Sequence, residues 1–360
     1  MEVDLSWRME EFRNIVGEFF PIEQVWYDGG RPAFAVRTGP DSKERFLRLR
    51  ERLEPMDYLP LLRGRDDRTV IALIPRPPRG AWRWQVNAAL FIATVITTFL
   101  AGYYNAQGLV ESHLMSSAIG GGLAFSIPLM LILLTHEMGH KVVSIVRGID
   151  ASLPYFIPMI PPIGTMGAVI VTRTPAPNRD ALLDLGASGP IAGFVVAVVV
   201  VIIGLMNSFV ISASAVQGQV LVNYPDPLLI RWMTGLLRHP PDGALILMHP
   251  VLFAGWIGLL VTSLNLLPAG MLDGGHAVRA LFGARFHRVA SWLAVAVAVA
   301  LRYWLMAVLI GVLLVTARGY HPGPLDDVSP PSWSRIAIGA ILLVIFILSV
   351  VPIEITLLRF

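Results

Sequence analysis

Cysteine is absent from all 360 residues. Disulfides and thiolate metal sites are therefore excluded, and any metal must be held by histidine and carboxylate. Charge is the second shortage. Asp, Glu, Lys and Arg make up 15% of the chain, against about 25% in an ordinary soluble domain, and 55% is hydrophobic. The acids are scarcest where the chain is most apolar: 14 of the 25 precede Gln85, and only 11 are spread over the rest. This pattern excludes a wholly soluble protein and predicts a short polar domain followed by a membrane domain. The net charge of +3 is small. The basic residues flank apolar spans and form no stripe, so no nucleic-acid partner is expected; the partner is the lipid bilayer.

Residues 1–80 read as a small cytoplasmic α/β domain. Apolar residues recur at helical spacing from Trp7 to Phe20, and Ser42 to Leu53 reads as an amphipathic basic helix. Val25–Tyr27 and Ala33–Arg37 read as strands around Asp28-Gly29-Gly30, with a second pair at Tyr58–Leu62 and Thr69–Ile74. No residue there carries recognisable chemistry. A regulatory or recognition module is expected, the alternative being a solvated cap. The Pro-rich stretch from Pro75 to Gly80 is a stiff linker. Arg76, Arg79 and Arg83, with Trp82 and Trp84 at the interface, then place the N-terminus in the cytoplasm.

The region 85–352 reads as a polytopic α-helical membrane domain of about six transmembrane helices. Spans are expected at Gln85–Tyr104, Ala118–Val146, Gly186–Phe209, about His249–Leu267, Val289–Ala317 and Ile336–Pro352. The fifth is taken as one long helix with Arg302 as an anomaly near its middle. Six crossings would return the C-terminus to the cytoplasm and put Asp326 and Asp327 on the opposite side. Four prolines and two glycines rule out a crossing helix over Ala151–Thr174. A membrane-associated β element is expected there, with an edge offered to something extended. In Gly189-Pro190-Ile191-Ala192-Gly193 the two glycines form a small-residue face, read as close helix packing.

The informative stretch is His136-Glu137-Met138-Gly139-His140, inside the second span. Two histidines four residues apart share a helix face, with a glutamate about a third of a turn away: two metal ligands and a general base. Polar groups at such depth need a functional reason. A catalytic zinc also needs a third protein ligand and an open position. Asp180 and Asp184 lie in a polar connector and Glu354 at the chain end. Asp273 follows Asn265-Leu266-Leu267-Pro268-Ala269-Gly270-Met271-Leu272, where proline and glycine break the helix on the side of His140. Asp273 is the expected third ligand, giving His136, His140 and Asp273 around one Zn2+ per chain. Glu137 is the expected base and Asn265 a donor to an oxyanion. His276 either donates likewise or packs.

H-E-M-G-H followed by N-L-L-P-A-G-M-L-D-G-G-H resembles the site-2 protease family of intramembrane zinc metalloproteases, over about residues 85–352. The stretch Ile157–Thr172 is similar to that family's β element, and Gly189–Gly193 to its G-P-x-x-G/N motif. The resemblance implies zinc held by His136, His140 and Asp273, Glu137 as base, and cleavage of a transmembrane-helix protein substrate in regulated intramembrane proteolysis. It places Gly164, Thr165, Met166, Gly167 and His276 beside the substrate. The loop between the third and fourth spans is too short for a PDZ domain, and no CBS pair is expected after Pro352. No signal peptide or Ser-rich transit segment is visible, so a plasma membrane is expected, archaeal or bacterial rather than thylakoid. The competing class is a zinc-binding protein or ion transporter without hydrolase activity; a retained Glu137 and the lack of repeats argue against it.

Overall fold

The structure is a computed structural model describing residues 2–65, 67–78, 83–212, 220–238, 240–241, 243–316, 321–351 and 356–359. Arg79, Gly80, Trp82 and Glu354, invoked above, lie outside these residues. Near the N-terminus, α1 (Glu2–Phe19) precedes the hairpin β1 (Ile22–Asp28) and β2 (Arg31–Val36). Its turn uses Gly29 and Gly30 at φ 57° and 79°, a conformation that suits glycine. The helix α2 (Ser42–Leu53) leads to a second hairpin, β3 (Tyr58–Arg65) and β4 (Arg68–Pro75). The four strands form an antiparallel sheet in the order β1-β2-β4-β3. Phe12, Val16, Phe34, Phe46, Leu49 and Ile71 are buried between sheet and helices.

Among the described residues, three helices are long and apolar enough to cross a membrane: α3 (Trp84–Glu111), α4 (Ala118–Val146) and α5 (Arg179–Asn207). Between α4 and α5 lies a β-hairpin, β5 (Tyr155–Pro158) and β6 (Thr165–Val169). Polar side chains of α3 hold it. Asn87 Nδ2 donates to the Leu153 and Pro154 carbonyls at 3.0 and 2.9 Å, Thr97 Oγ1 to Gly164 O at 2.7 Å, and Asn105 Nδ2 to Pro162 O at 3.0 Å. From Asn87 to Asn105 is about 27 Å of helix at 1.5 Å per residue, close to the thickness of a bilayer core. The hairpin therefore runs along the depth of the bundle, and α3 satisfies the carbonyls of Leu153, Pro154, Pro162 and Gly164.

Past α5, β7 (Phe209–Ser212) pairs with β9 (Ala244–Leu247), and β8 (Val220–Asn223) pairs with the C-terminal strand β10 (Thr356–Arg359). The short α6 (Leu228–Leu237) lies between them in sequence. Then follow α7 (Pro250–Asn265), α8 (Asp273–Ala300), α9 (Trp304–Thr316) and α10 (Trp333–Ser349).

The run 289–317 is not the single helix expected from its apolarity. It is divided at Leu301–Tyr303, where Arg302 turns with φ 61°, and α9 packs back along α8. The α8 helix is itself kinked at Gly283, φ 83°. The physical reason lies in the broken segment 266–272, whose backbone polar groups need partners inside the bundle. Ser291 Oγ accepts the Gly270 N–H at 3.1 Å, and His287 Nε2 donates to Gly270 O at 3.0 Å. Ala294, Ile310 and Leu314 cover Leu267 and Ala269. The α8–α9 pair is a hairpin seated over that break. Arg302 is its turn residue and is exposed.

The hairpin returns the chain to the end of the bundle that carries the N-terminal domain, correcting the side assigned to Asp326 and Asp327. The strap 321–328 runs along the edge of β3. Leu62 N–H donates to Leu325 O at 2.9 Å, and Leu325 N–H to Ala176 O at 2.8 Å. The Leu325 side chain completes the core of the N-terminal sheet. The α10 helix then starts at Ser332, which donates to Asp180 at 2.8 and 2.6 Å, and ends at the opposite face of the bundle, where β10 meets β8. The C-terminus is thus on the side away from the N-terminal domain.

Asp327 anchors the strap. Arg279 on α8 donates to both of its carboxylate oxygens, at 2.8 and 2.5 Å. Burial opposes the Asp327 charge, but the bonds and charge of Arg279, with Arg63 and Arg179 nearby, hold the carboxyl below its ordinary range. Asp327→Asn leaves the buried Arg279 without its charge partner and is expected to cost about 3–5 kcal/mol of stability at neutral pH. Because the folded pKa is depressed, this contribution is complete above the unfolded value of about 3.9 and is lost as pH falls through the folded value. Thermal unfolding of the two proteins in detergent should show a gap at pH 7 that closes in acid.

Candidate metal centre

The α4 helix presents His136, Glu137 and His140 near its end towards the N-terminal domain, all three buried. His136 Nε2 and His140 Nε2 lie 3.2 Å apart. Asp273, the first residue of α8, reaches them from the other side, with Oδ2 3.2 Å from His136 Nε2 and Oδ1 3.3 Å from His140 Nε2. One ligand atom from each residue lies within 4.8 Å of the other two.

The break after α7 is what allows Asp273 in. A Cβ on Gly274 would stand 2.0 Å from Leu266 O, and one on Gly275 2.5 Å from Gly270 O. Only glycine lets the start of α8 fold this tightly against the broken segment.

The donor chemistry fits a cation. His140 Nδ1 lies 2.7 Å from the Leu185 carbonyl, which can only accept, so Nδ1 carries the proton and Nε2 offers a lone pair. That lone pair faces a second imidazole nitrogen and a carboxylate oxygen. Two imidazoles and one carboxylate, cysteine being absent, form a His2Asp donor set for a borderline metal with a position left open.

The glycines of α5, read from the sequence as packing, are also what seats the two candidate ligands of α4. A Cβ at Gly189 would stand 2.1 Å from His140 Nε2, and one at Gly193 3.0 Å from His136 Cβ. Gly139 of α4 faces the Ser188 carbonyl, where a Cβ would lie at 2.6 Å. The two backbones meet at the level of the ligands. The sequence signal was present in G-P-I-A-G, but its register against the histidines was not.

A cleft of ≈ 200 Å³ opens on the site, lined by His136, Glu137, His140, Asn265, Asp273 and His276, and on the other side by Ala168, Val169, Ile170 and Thr172. Asn265 Nδ2 lies 3.4 Å from His136 Nε2. The structure therefore brings together six of the predicted site residues. It does not bring Gly164, Thr165, Met166 or Gly167 to the cleft. Those residues form the far part of the hairpin. Thr165 Oγ1 bonds within it, to Ile157 O at 3.0 Å, and Gly164 lies against the backbone of α3. The cleft is bordered instead by the next stretch, Ala168–Thr172. The rejected candidates are engaged structurally: Asp180 with Lys43 and Ser332, Asp184 with Arg147 and Arg335.

A model of peptidase family M50 matches residues 124–309, just over half of the chain, and the chain belongs to that family. Among curated proteins it is similar to "Probable zinc metalloprotease EGY1, chloroplastic" of Arabidopsis thaliana, 29% identical over 230 residues, covering 57% of this chain and 41% of that protein. It is also similar to "Probable zinc metalloprotease EGY2, chloroplastic" of Oryza sativa subsp. indica, 25% identical over 361 residues, covering 93% of this chain and 63% of that protein. The Arabidopsis EGY2 protein is 28% identical over 286 residues, with 74% of this chain and 49% of that protein covered. The chain thus spans about two fifths to under two thirds of the length of these relatives. No solved structure matches it.

Gly189→Ala drives a methyl group into His140 Nε2, and Asp273→Ala removes the carboxylate. Both purified variants are expected to fall at least about tenfold in metal affinity, measured by competition with a chromogenic chelator.

Proposed function

We propose that the chain is a zinc-dependent intramembrane endopeptidase that cleaves transmembrane helices, with one zinc held by His136, His140 and Asp273. The observation that carries this reading is that Glu137 lines the same cleft as the three ligands, while a β strand borders its other wall. A zinc ion bound there would polarise a peptide carbonyl and make water more acidic. Glu137 takes a proton from the attacking water on its carboxylate and returns it to the leaving amide nitrogen. Asn265 donates from Nδ2 to the carbonyl oxygen as it gains charge. His140 Nδ1–H donates to Leu185 O throughout, which keeps Nε2 turned to where the zinc would sit.

The cleft's size supports an unwound substrate. A helix with side chains is about 10–12 Å across, too wide for ≈ 200 Å³, whereas an extended segment enters. Among the described residues β6 pairs with β5 alone, so its second edge has backbone groups to offer such a segment. Substrate contact is assigned to Ala168–Thr172 and His276 rather than to Gly164–Gly167.

In the proposed topology α3, α4, α5, α7 and α10 cross the membrane, and the α8–α9 hairpin enters and leaves on the cytoplasmic side with the N-terminal domain. The membrane is proposed to be an archaeal or bacterial plasma membrane. One chain supplies every ligand, so the site needs no second copy.

Glu137→Gln is expected to lower kcat by about 10²–10⁴-fold with zinc content unchanged. The assay is cleavage of a purified transmembrane substrate in detergent. Equal cleavage by both proteins would exclude the peptidase reading in favour of a zinc-binding or transport role.

A further inference from the structure

The strap brings His321 against His276, a residue of the cleft. His321 Nδ1 accepts the Gly323 N–H at 2.9 Å, so the neutral ring holds its proton on Nε2. That Nε2 lies 3.0 Å from His276 Nδ1 and donates to it, the two rings meeting edge to face. His276 is left with its own proton on Nε2. It lines the metal cleft, and among the described residues its one side-chain hydrogen bond is the Nδ1 contact with His321. Burial, then the nearby His276, His287 and Arg279, holds the His321 pKa well below the ordinary imidazole value, so the relay is neutral.

We infer that His276 is a catalytic hydrogen-bond donor, offering Nε2–H to the substrate carbonyl oxygen, and that His321 is the positioning residue that fixes its tautomer. This rests on the peptidase reading above. A neutral imidazole of fixed tautomer polarises a carbonyl without carrying charge into an apolar site. With the other tautomer, Nε2 would turn a lone pair towards that oxygen and repel it. The relay reaches the N-terminal domain. Arg63 of β3 donates to Pro322 O at 3.1 Å and to Leu325 O at 2.8 Å, Leu325 sits in that domain's core, and Arg279, one turn beyond His276 on α8, clamps Asp327. The strap that seats His321 is thus held by the N-terminal sheet on one side and by the helix of His276 on the other.

The test uses the full chain in detergent with a transmembrane substrate and four variants: His276→Phe, His321→Phe, the double Phe variant, and His321→Gln. A glutamine amide at 321 can accept from Gly323 and donate to His276. Loss of the donor should lower kcat about 10²-fold in His276→Phe, and loss of its positioning about tenfold in His321→Phe. KM and zinc content should be unchanged. The double variant should match His276→Phe alone, and His321→Gln should stay within about threefold of wild type. In histidine-labelled protein, ¹⁵N spectra should report the Nε2–H tautomer of His276 in wild type and a mixture in His321→Phe. Wild-type kcat in His321→Phe, additive losses in the double variant, or loss of zinc in His321→Phe would each overturn the relay. So would an unchanged His276 tautomer in His321→Phe, and that spectrum judges the relay even if the Glu137→Gln comparison shows no peptidase activity.

Discussion

Two imidazole nitrogens and a carboxylate oxygen face one another within 4.8 Å, and the Leu185 carbonyl keeps the His140 proton on Nδ1, away from that centre. Lone pair against lone pair is repulsive in an apolar bundle, and a cation at their common centre would satisfy all three at once. Much of the fold around the site follows from that demand. The α5 helix must come close enough for its Leu185 carbonyl to hold His140 by Nδ1, and this fixes small residues at Gly189 and Gly193. The chain after α7 must break so that a carboxylate arrives at the level of α4 without a helix occupying the space. The break then exposes the backbone of Gly270, which Ser291 and His287 of the α8–α9 hairpin satisfy. Each device answers a cost created by the previous one.

The same accounting explains the hairpin beside α3. An irregular strand pair at membrane depth carries carbonyls that lipid cannot satisfy. The side chains Asn87, Thr97 and Asn105, spaced along one helix, supply donors at three depths. Among the described residues they leave β6 paired on its β5 side alone, in the wall of the cleft that Glu137 also lines. A strand held in this way offers an edge without rearrangement, so the ordering cost of a bound extended segment falls mainly on the segment.

The candidate ligands were legible as a group because their chemistry is local: His136 and His140 declare themselves by helical spacing, and Asp273 by the Pro–Gly break before it. The strands near the N-terminus were legible for a similar reason, since alternation and Gly turns mark them. What the chain hid was long-range. An apolar run of this length is consistent with one tilted helix or two short ones, and nothing in the run marks His287 and Ser291 as the partners of Gly270. Counting one helix there inverted the side of everything after it, and so the strap with His321 and Asp327 was placed away from the site. Gly164–Gly167 drew attention by motif, yet the hairpin sets Gly164 against α3 and brings the residues after Gly167 to the cleft.

The strap also changes what the N-terminal domain is. A domain joined only by a linker would keep its own core. Here Leu325, from more than two hundred residues further on, fills that core, and burying such a side chain is worth about 1.5–3 kcal/mol. Detaching the domain would open its core and free the strap together. The carbonyls that Arg63 holds, the Arg279–Asp327 pair and the His321–His276 contact form one connected set between a solvent-facing sheet and the metal cleft. Any partner that binds the sheet near β3 more tightly with the strap in place must, by linkage, favour the seated His321 by the same factor. A domain with no chemistry of its own can therefore still set how the site is poised, because it shares a structural element with it.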